Sequence, residues 1–236
     1  MKKHTIILAG VFAAAISSAA HANNIITFEG FEKGRIIDNE YASQGVTIRG
    51  YNVDRQADNV GVIFDTNDNW TADPDLEAPF YNVNGQNLGS LNPGNVLIIH
   101  EHPWECNYWS CGSDPDDEGS QPAGYFDIVF DQAVTLNSID FFDIEGNEAG
   151  NSWRNAITIQ GTGDYGNYYT PATGGDNTWA RQYFNLVGVT SLRIRLAGSG
   201  AIDNIDFSSG AVPAPSMLVL FLAGLAGLYA RRRRMA

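Results

Sequence analysis

The feature that most constrains this chain is a succession of short β-branched and aromatic runs, each closed off by Gly, Asn, Asp or Pro. "IITF", "VTIRGY", "VGVIF", "NVLIIH", "YFDIVF", "SIDFFDI", "AITIQ", "ARQYFNL", "SLRIRL" and "IDNIDF" follow one another at short intervals. Near the end Leu192, Ile194 and Leu196 alternate with Arg193 and Arg195, the period-two pattern of a strand with one buried face. No stretch of residues 23–211 carries the spacing of an amphipathic helix. About ten strands in one domain-sized segment predict an all-β fold, a two-sheet β-sandwich of jelly-roll type. The first run and the last should then pair.

The two ends read differently from the middle. Lys2 and Lys3, an apolar stretch over residues 6–16, and Ala20-His21-Ala22 make residues 1–22 a secretory signal peptide. Export to an oxidising compartment predicts a disulfide between Cys106 and Cys111, the only cysteines. At the other end Pro213 and Pro215 precede an apolar run closed by Arg231, Arg232, Arg233 and Arg234. That pattern predicts one transmembrane helix whose arginines stay on the cytoplasmic side. The expected organisation is a leader over 1–22, a sandwich over 23–207, a linker over 208–211 and a membrane-embedded tail over 212–236.

A Pro-x-Pro motif, an apolar helix containing Gly224-Leu225 and Gly227-Leu228, and a terminal arginine cluster together resemble the PEP-CTERM sorting signal. Tails of this type are also known as ice-binding-protein C-terminal domains. Ala214 stands where the family name has Glu. The resemblance implies recognition by an exosortase-type membrane peptidase, a transient stay in the inner membrane, and transfer to the envelope or extracellular matrix of a Gram-negative bacterium. The body, through "ITFEGF", "IIDNEYASQGVTIRG", "FDTNDNWTADPDLEAP", "GNVLIIHE" and "AIDNIDF", is similar to exported β-sandwich domains that precede such tails. Those domains in turn resemble calcium-dependent carbohydrate-binding modules. Thr71-Ala72 replaces their more common Gly-Gly. That likeness implies a structural calcium joining Glu29, after the first strand, to Asp203 on the last.

Without leader and tail, eight basic residues face 27 acidic ones, a net charge of −19. Such a field repels nucleic acid and anionic membrane surfaces, and either attracts divalent cations or keeps the protein soluble. Asp65, Asn67, Asn69, Asp73 and Asp75 place oxygen donors along one loop, as calcium requires. The EF-hand pattern fails, with Trp70 at the glycine position and Leu76 at the bidentate glutamate position, so the alternative is a solvated loop closed by Asx-turns. Asp114, Asp116, Asp117 and Glu118 read as a solvated face, and Asp143 with Glu145 as a strand end able to hold a ligand. Gly161 to Gly166 spells G-x-G-x-x-G but leads into no helix, so it reads as a hairpin loop.

His100 and His102 would share one strand face, either packed near the disulfide or, with an acidic partner, forming a metal-dependent hydrolase or lyase centre. Trp70, Trp109, Trp153, Tyr165 and Tyr168 lie in or beside turns, where exposed rings could form a glycan platform. The expected function is that of a non-enzymatic, calcium-stabilised exported sandwich associated with extracellular polysaccharide. A glycan hydrolase or lyase and a purely structural surface protein are the alternatives.

Overall fold

The computed structural model of the protein describes residues 23–209, apart from Asn69, Ala72, Ser113 and Asn151. The expected leader, the tail prolines Pro213 and Pro215, and Arg231 to Arg234 lie outside the described residues. Among the described residues, no helix is long and apolar enough to cross a membrane. Helix among the described residues is confined to short 3-10 turns such as Pro74–Leu76 and Pro103–Glu105.

The strands are β1 (Asn23–Ile26), β2 (Val46–Asn52), β3 (Ala57–Asp58), β4 (Gly61–Asp65), β5 (Phe80–Tyr81) and β6 (Ser90–Leu91). They continue with β7 (Asn95–Ile99), β8 (Gly124–Phe142), β9 (Ala156–Gly161), β10 (Tyr168–Tyr169), β11 (Trp179–Leu196) and β12 (Ala201–Ser209). All strand ladders are antiparallel: β5 pairs with β6, and the other ten strands share one large sheet. Sequence reading had "YFDIVF" and "SIDFFDI" as two strands, and "ARQYFNL" and "SLRIRL" as two more. Each pair is one long strand.

These two strands make the fold sandwich-like. The first half of β8 pairs with β2, from Val46↔Phe130 to Asn52↔Gly124, and its second half with β12, from Ser209↔Val134 to Ala201↔Phe142. β11 follows β8 along both halves, with register shifts between Tyr183 and Ser191 that let it bend. Phe126 and Ile128 from one half of β8 and Leu136, Ile139 and Phe141 from the other lie in a single apolar cluster. The sheet thus closes over its own core.

β4 and β7 are buried on both faces, which explains why "VGVIF" and "NVLIIH" are continuously apolar instead of alternating. Ile63, Leu97 and Ile99 point into the main core. Val62, Phe64, Val96 and Ile98 point the other way into a second cluster with Leu76, Phe80, Phe142 and Trp179. The long segments 66–94 and 100–123 supply the lid of that cluster, and Cys111 of the Cys106–Cys111 disulfide sits in it fully buried. The expected end-strand pairing is present, since β1 runs antiparallel to β12 with Ile26 opposite Ile205. β12 continues through Ser209, two residues into the segment expected as linker.

Candidate functional site

Three adjacent strands bring Arg181, Asp140 and Asp203 side by side, Arg181 opposite Asp140 and Asp140 opposite Asp203. They share the face of the sheet that, further along, carries Trp179, Phe142 and Ala201 of the second cluster. Arg181 gives both arms of its guanidinium to Asp140, Nε to Oδ1 at 2.6 Å and Nη2 to Oδ2 at 2.7 Å. Asn204 adds a bond from Nδ2 to Asp140 Oδ2 at 3.0 Å. Asp140 is therefore fully compensated, and its bidentate hold uses up the arginine.

Asp203 is not compensated. It is 1% exposed, and its Oδ1 has no hydrogen-bond partner. Burial is the main force holding its carboxyl well above the usual range; the N–H of Asn204 opposes that, and the charges of Asp140 and Glu29 add to it. Glu29 and Asp203 line the same depression, together with Asn67, Asn92, Gly94 and Asn204. Glu29 Oε1 accepts the N–H of Asn95 at 2.8 Å, which fixes its carboxylate at the rim. Two carboxylates and several amide oxygens around a buried orphan oxygen make a donor set suited to a hard divalent cation, so these residues fit calcium.

The loop cluster expected from sequence is divided. Asp65, at the end of β4, accepts the N–H of Asn67 at 3.0 Å in an Asx-turn. Asn67 itself turns to Asn92 at 2.7 Å, in the Glu29–Asp203 depression. Asn69 lies outside the described residues. Asp73 leaves this group altogether, and its carboxylate gathers with those of Asp116 and Asp117, all within 4.8 Å of one another. Asp75 sits exposed on the 3-10 turn after Asp73. The solvated face expected at residues 114–118 is also corrected. Asp117 is 8% and Glu118 1% exposed, because the segment lies across β7 as part of the lid.

His100 and His102 do not converge on one open cleft. His100 is fully buried, with Nδ1 3.1 Å from the Asp116 carbonyl and Nε2 unpartnered beside the disulfide. Burial holds its imidazole below the ordinary range. His102 is partly exposed and meets Glu101 and Asp116 instead.

The aromatic residues have separate environments. Tyr165 donates its hydroxyl to the Val187 carbonyl at 3.0 Å and bridges the β9–β10 hairpin to β11. Tyr168 packs on Phe184 at 5.2 Å between centroids. Trp70 and Trp153 project from different loops and are 92% and 65% exposed. Trp109, 60% exposed, walls a depression of about 500 Å³ with Phe31, Glu32, Lys33, Arg35 and Ser110.

Sequence reasoning missed one surface, the outer face of β2, β8 and β11. There Tyr51 stacks on Tyr125 at 5.0 Å, and Arg193 lies 3.9 Å above Tyr125 while gripping Asp127 with two bonds of 2.6 Å. The alternation of Arg193 and Arg195 with apolar residues carried the signal for it. Comparison of the chain with protein-family models, curated proteins and solved structures finds no match.

Proposed function

We propose that this is an exported, calcium-stabilised β-sandwich that binds extracellular polysaccharide at the depression beside Trp109. The observation that carries the reading is an exposed indole ring set among polar groups of both signs, in a recess of sugar-binding size. Trp109 presents an apolar face bordered by Arg35, whose guanidinium lies 5.2 Å from the ring centroid. Glu32, Lys33 and Ser110 supply acceptors and donors around it. A recess of about 500 Å³ lies within the common range for ligand pockets. The disulfide and the Cys111 N–H to Gly34 carbonyl bond of 2.8 Å hold the Trp109 loop in place, so little ordering is needed on binding.

Calcium belongs to this reading through Glu29 and Asp203. A cation there would give Asp203 the partner that Arg181, held by Asp140, does not provide. The sorting part of the proposal rests on the tail sequence: Pro213, Pro215 and the four terminal arginines suit an exosortase-type peptidase and delivery to the envelope or matrix.

Affinity electrophoresis of the protein in gels containing the producing cell's exopolysaccharide tests the binding. Retardation should be lost in Trp109→Ala, at about a tenfold weaker affinity, the scale of one lost ring contact. Equal retardation of wild type and Trp109→Ala would remove the depression from the proposal.

A further inference from the structure

We propose a second divalent-cation site, formed by Asp73, Asp116, Asp117 and Asp143 and best suited to calcium, which clamps the lid segments to the end of the sheet. It uses none of the residues of the Glu29–Asp203 site, and its existence does not depend on that one.

The four carboxylates come from segments far apart in the chain. Asp73 starts the 3-10 turn Pro74–Leu76 in the first lid segment, and Asp116 and Asp117 belong to the second. Asp143 follows directly on β8. Carboxylate oxygens of Asp73, Asp116 and Asp117 lie within 4.8 Å of one another. Asp117 receives the backbone N–H of Gly200, in the β11–β12 turn, which adds a fourth segment to the junction. Asp73 accepts the N–H of Asp75 at 3.3 Å.

Proximity of acids alone would not make a site. The independent observation is Asp143, 5% exposed, whose Oδ1 is sealed from solvent with no hydrogen-bond partner. Gly200 places Asp143 beside the cluster: the Gly200 N–H meets the Asp117 carboxylate, and a Cβ on Gly200 would stand 3.3 Å from the Asp143 carbonyl oxygen. Asp73 Oδ2 is likewise sealed and unpartnered. Among the described residues, none of the four is ion-paired with a lysine or arginine. Buried carboxylates with free oxygens and no lysine or arginine partner are costly unless a cation sits among them. Four carboxylates, each able to give one or two oxygens, match the six to eight oxygens of calcium better than the small octahedron of magnesium.

Asp143 is held for this role by its surroundings. Its backbone is left-handed at φ 54°, and its N–H donates to the Thr178 carbonyl at 2.9 Å. Asn177, next to Thr178, donates Nδ2 to the Glu77 carbonyl at 2.7 Å, which ties the Asp73 turn to the same corner.

Calorimetric titration of calcium into the purified full-length protein, freed of metal by chelation, tests the site. Wild type should bind two ions, and Asp203→Asn should keep one. Adding Asp143→Asn and Asp73→Asn to that background should abolish binding. Retention of the second ion by the Asp73→Asn/Asp143→Asn protein would overturn the proposal, as would absence of any ion in Asp203→Asn. A single ion lost in Asp143→Asn but kept in Asp203→Asn would support this site and reject the Glu29–Asp203 one. Folding is checked in the same samples. In chelator, Asp143→Asn should melt no lower than wild type, because it removes repulsion, and it should lose the rise with calcium. A lower melting point in chelator with the calcium rise intact would mark Asp143 as structural only and overturn the proposal.

Discussion

Arg181 shows how finely charge is apportioned on this sheet. It satisfies Asp140, which is 0% exposed, and leaves Asp203 on the next strand to find another partner. Arg181→Met should therefore strand a buried carboxylate and cost roughly 3 kcal/mol in denaturant unfolding, with Asp140→Asn added to it recovering part of the loss. A cost below about 0.5 kcal/mol would mean that water reaches Asp140 and that the pair behaves as an exposed one. Gly94 is the companion case at the rim. Its φ of +74° is left-handed, and a Cβ there would run into the Glu29 carboxylate. Gly94→Ala should lower stability and also remove the calcium-dependent part of it that Asp203→Asn removes, as read by melting with and without chelator. At this scale the sequence told donor types but not partners. Asp73 was picked out as an oxygen donor, yet its neighbours Asp116 and Asp117 come from elsewhere in the chain and their like charges made a solvated face the natural reading, while Asp143 was read only as a strand end able to hold a ligand. That Glu29 and Asp203 line one depression was legible because a resemblance linked the first and last strands.

At the level of elements, periodicity was informative wherever one face meets water and misleading where both or neither do. β4 and β7 read as strands but gave no sign of which side was the core, and they serve two cores. Phe64, fully buried in the second cluster, supports the lid segments from beneath. Phe64→Ala should cost about 3–5 kcal/mol by equilibrium unfolding, the range for a large-to-small change at a site that cannot collapse. If the lid were only loosely laid over β4, the cost would fall nearer 1 kcal/mol. β8 and β11 were each divided in two, with the breaks falling near Asp131-Gln132 and near Gly188, turn-forming residue types. They are the places where these strands bend from one half of the sandwich to the other, and Asn185 and Gly188 both have positive φ. Turn chemistry at a bend and at a true reversal is the same chemistry, and only the partner strand tells them apart.

For the molecule as a whole, residues 23–211 carry a net charge of −19, and Asp73, Asp116 and Asp117 gather at the lid corner. Burial and then the charges of Asp116 and Asp75 raise Asp73 to about 7. Burial and then Asp73, Asp75, Asp176 and Glu145 raise Asp143 to about 8. Both groups thus hold protons more tightly folded than unfolded, where 3.8 applies. The stability this confers is complete below the unfolded value and is lost as pH rises through 7 and 8. In chelator these two groups should make the melting temperature fall progressively from about pH 4 to about pH 8 and level off above it. Saturating calcium should flatten that fall and raise the melting point by roughly 5 °C at the upper end. Parallel curves with and without calcium would place the stabilising ion away from these two groups. The course of β12 has a mechanical consequence. A pull on the chain beyond Ser209 enters a strand flanked by β8 on one side and by β7 and β1 on the other, with Ser208 opposite both Asn23 and Thr135. Load along that strand is borne by rows of hydrogen bonds in shear instead of being peeled one bond at a time. A domain tethered by this end would yield slowly under drag.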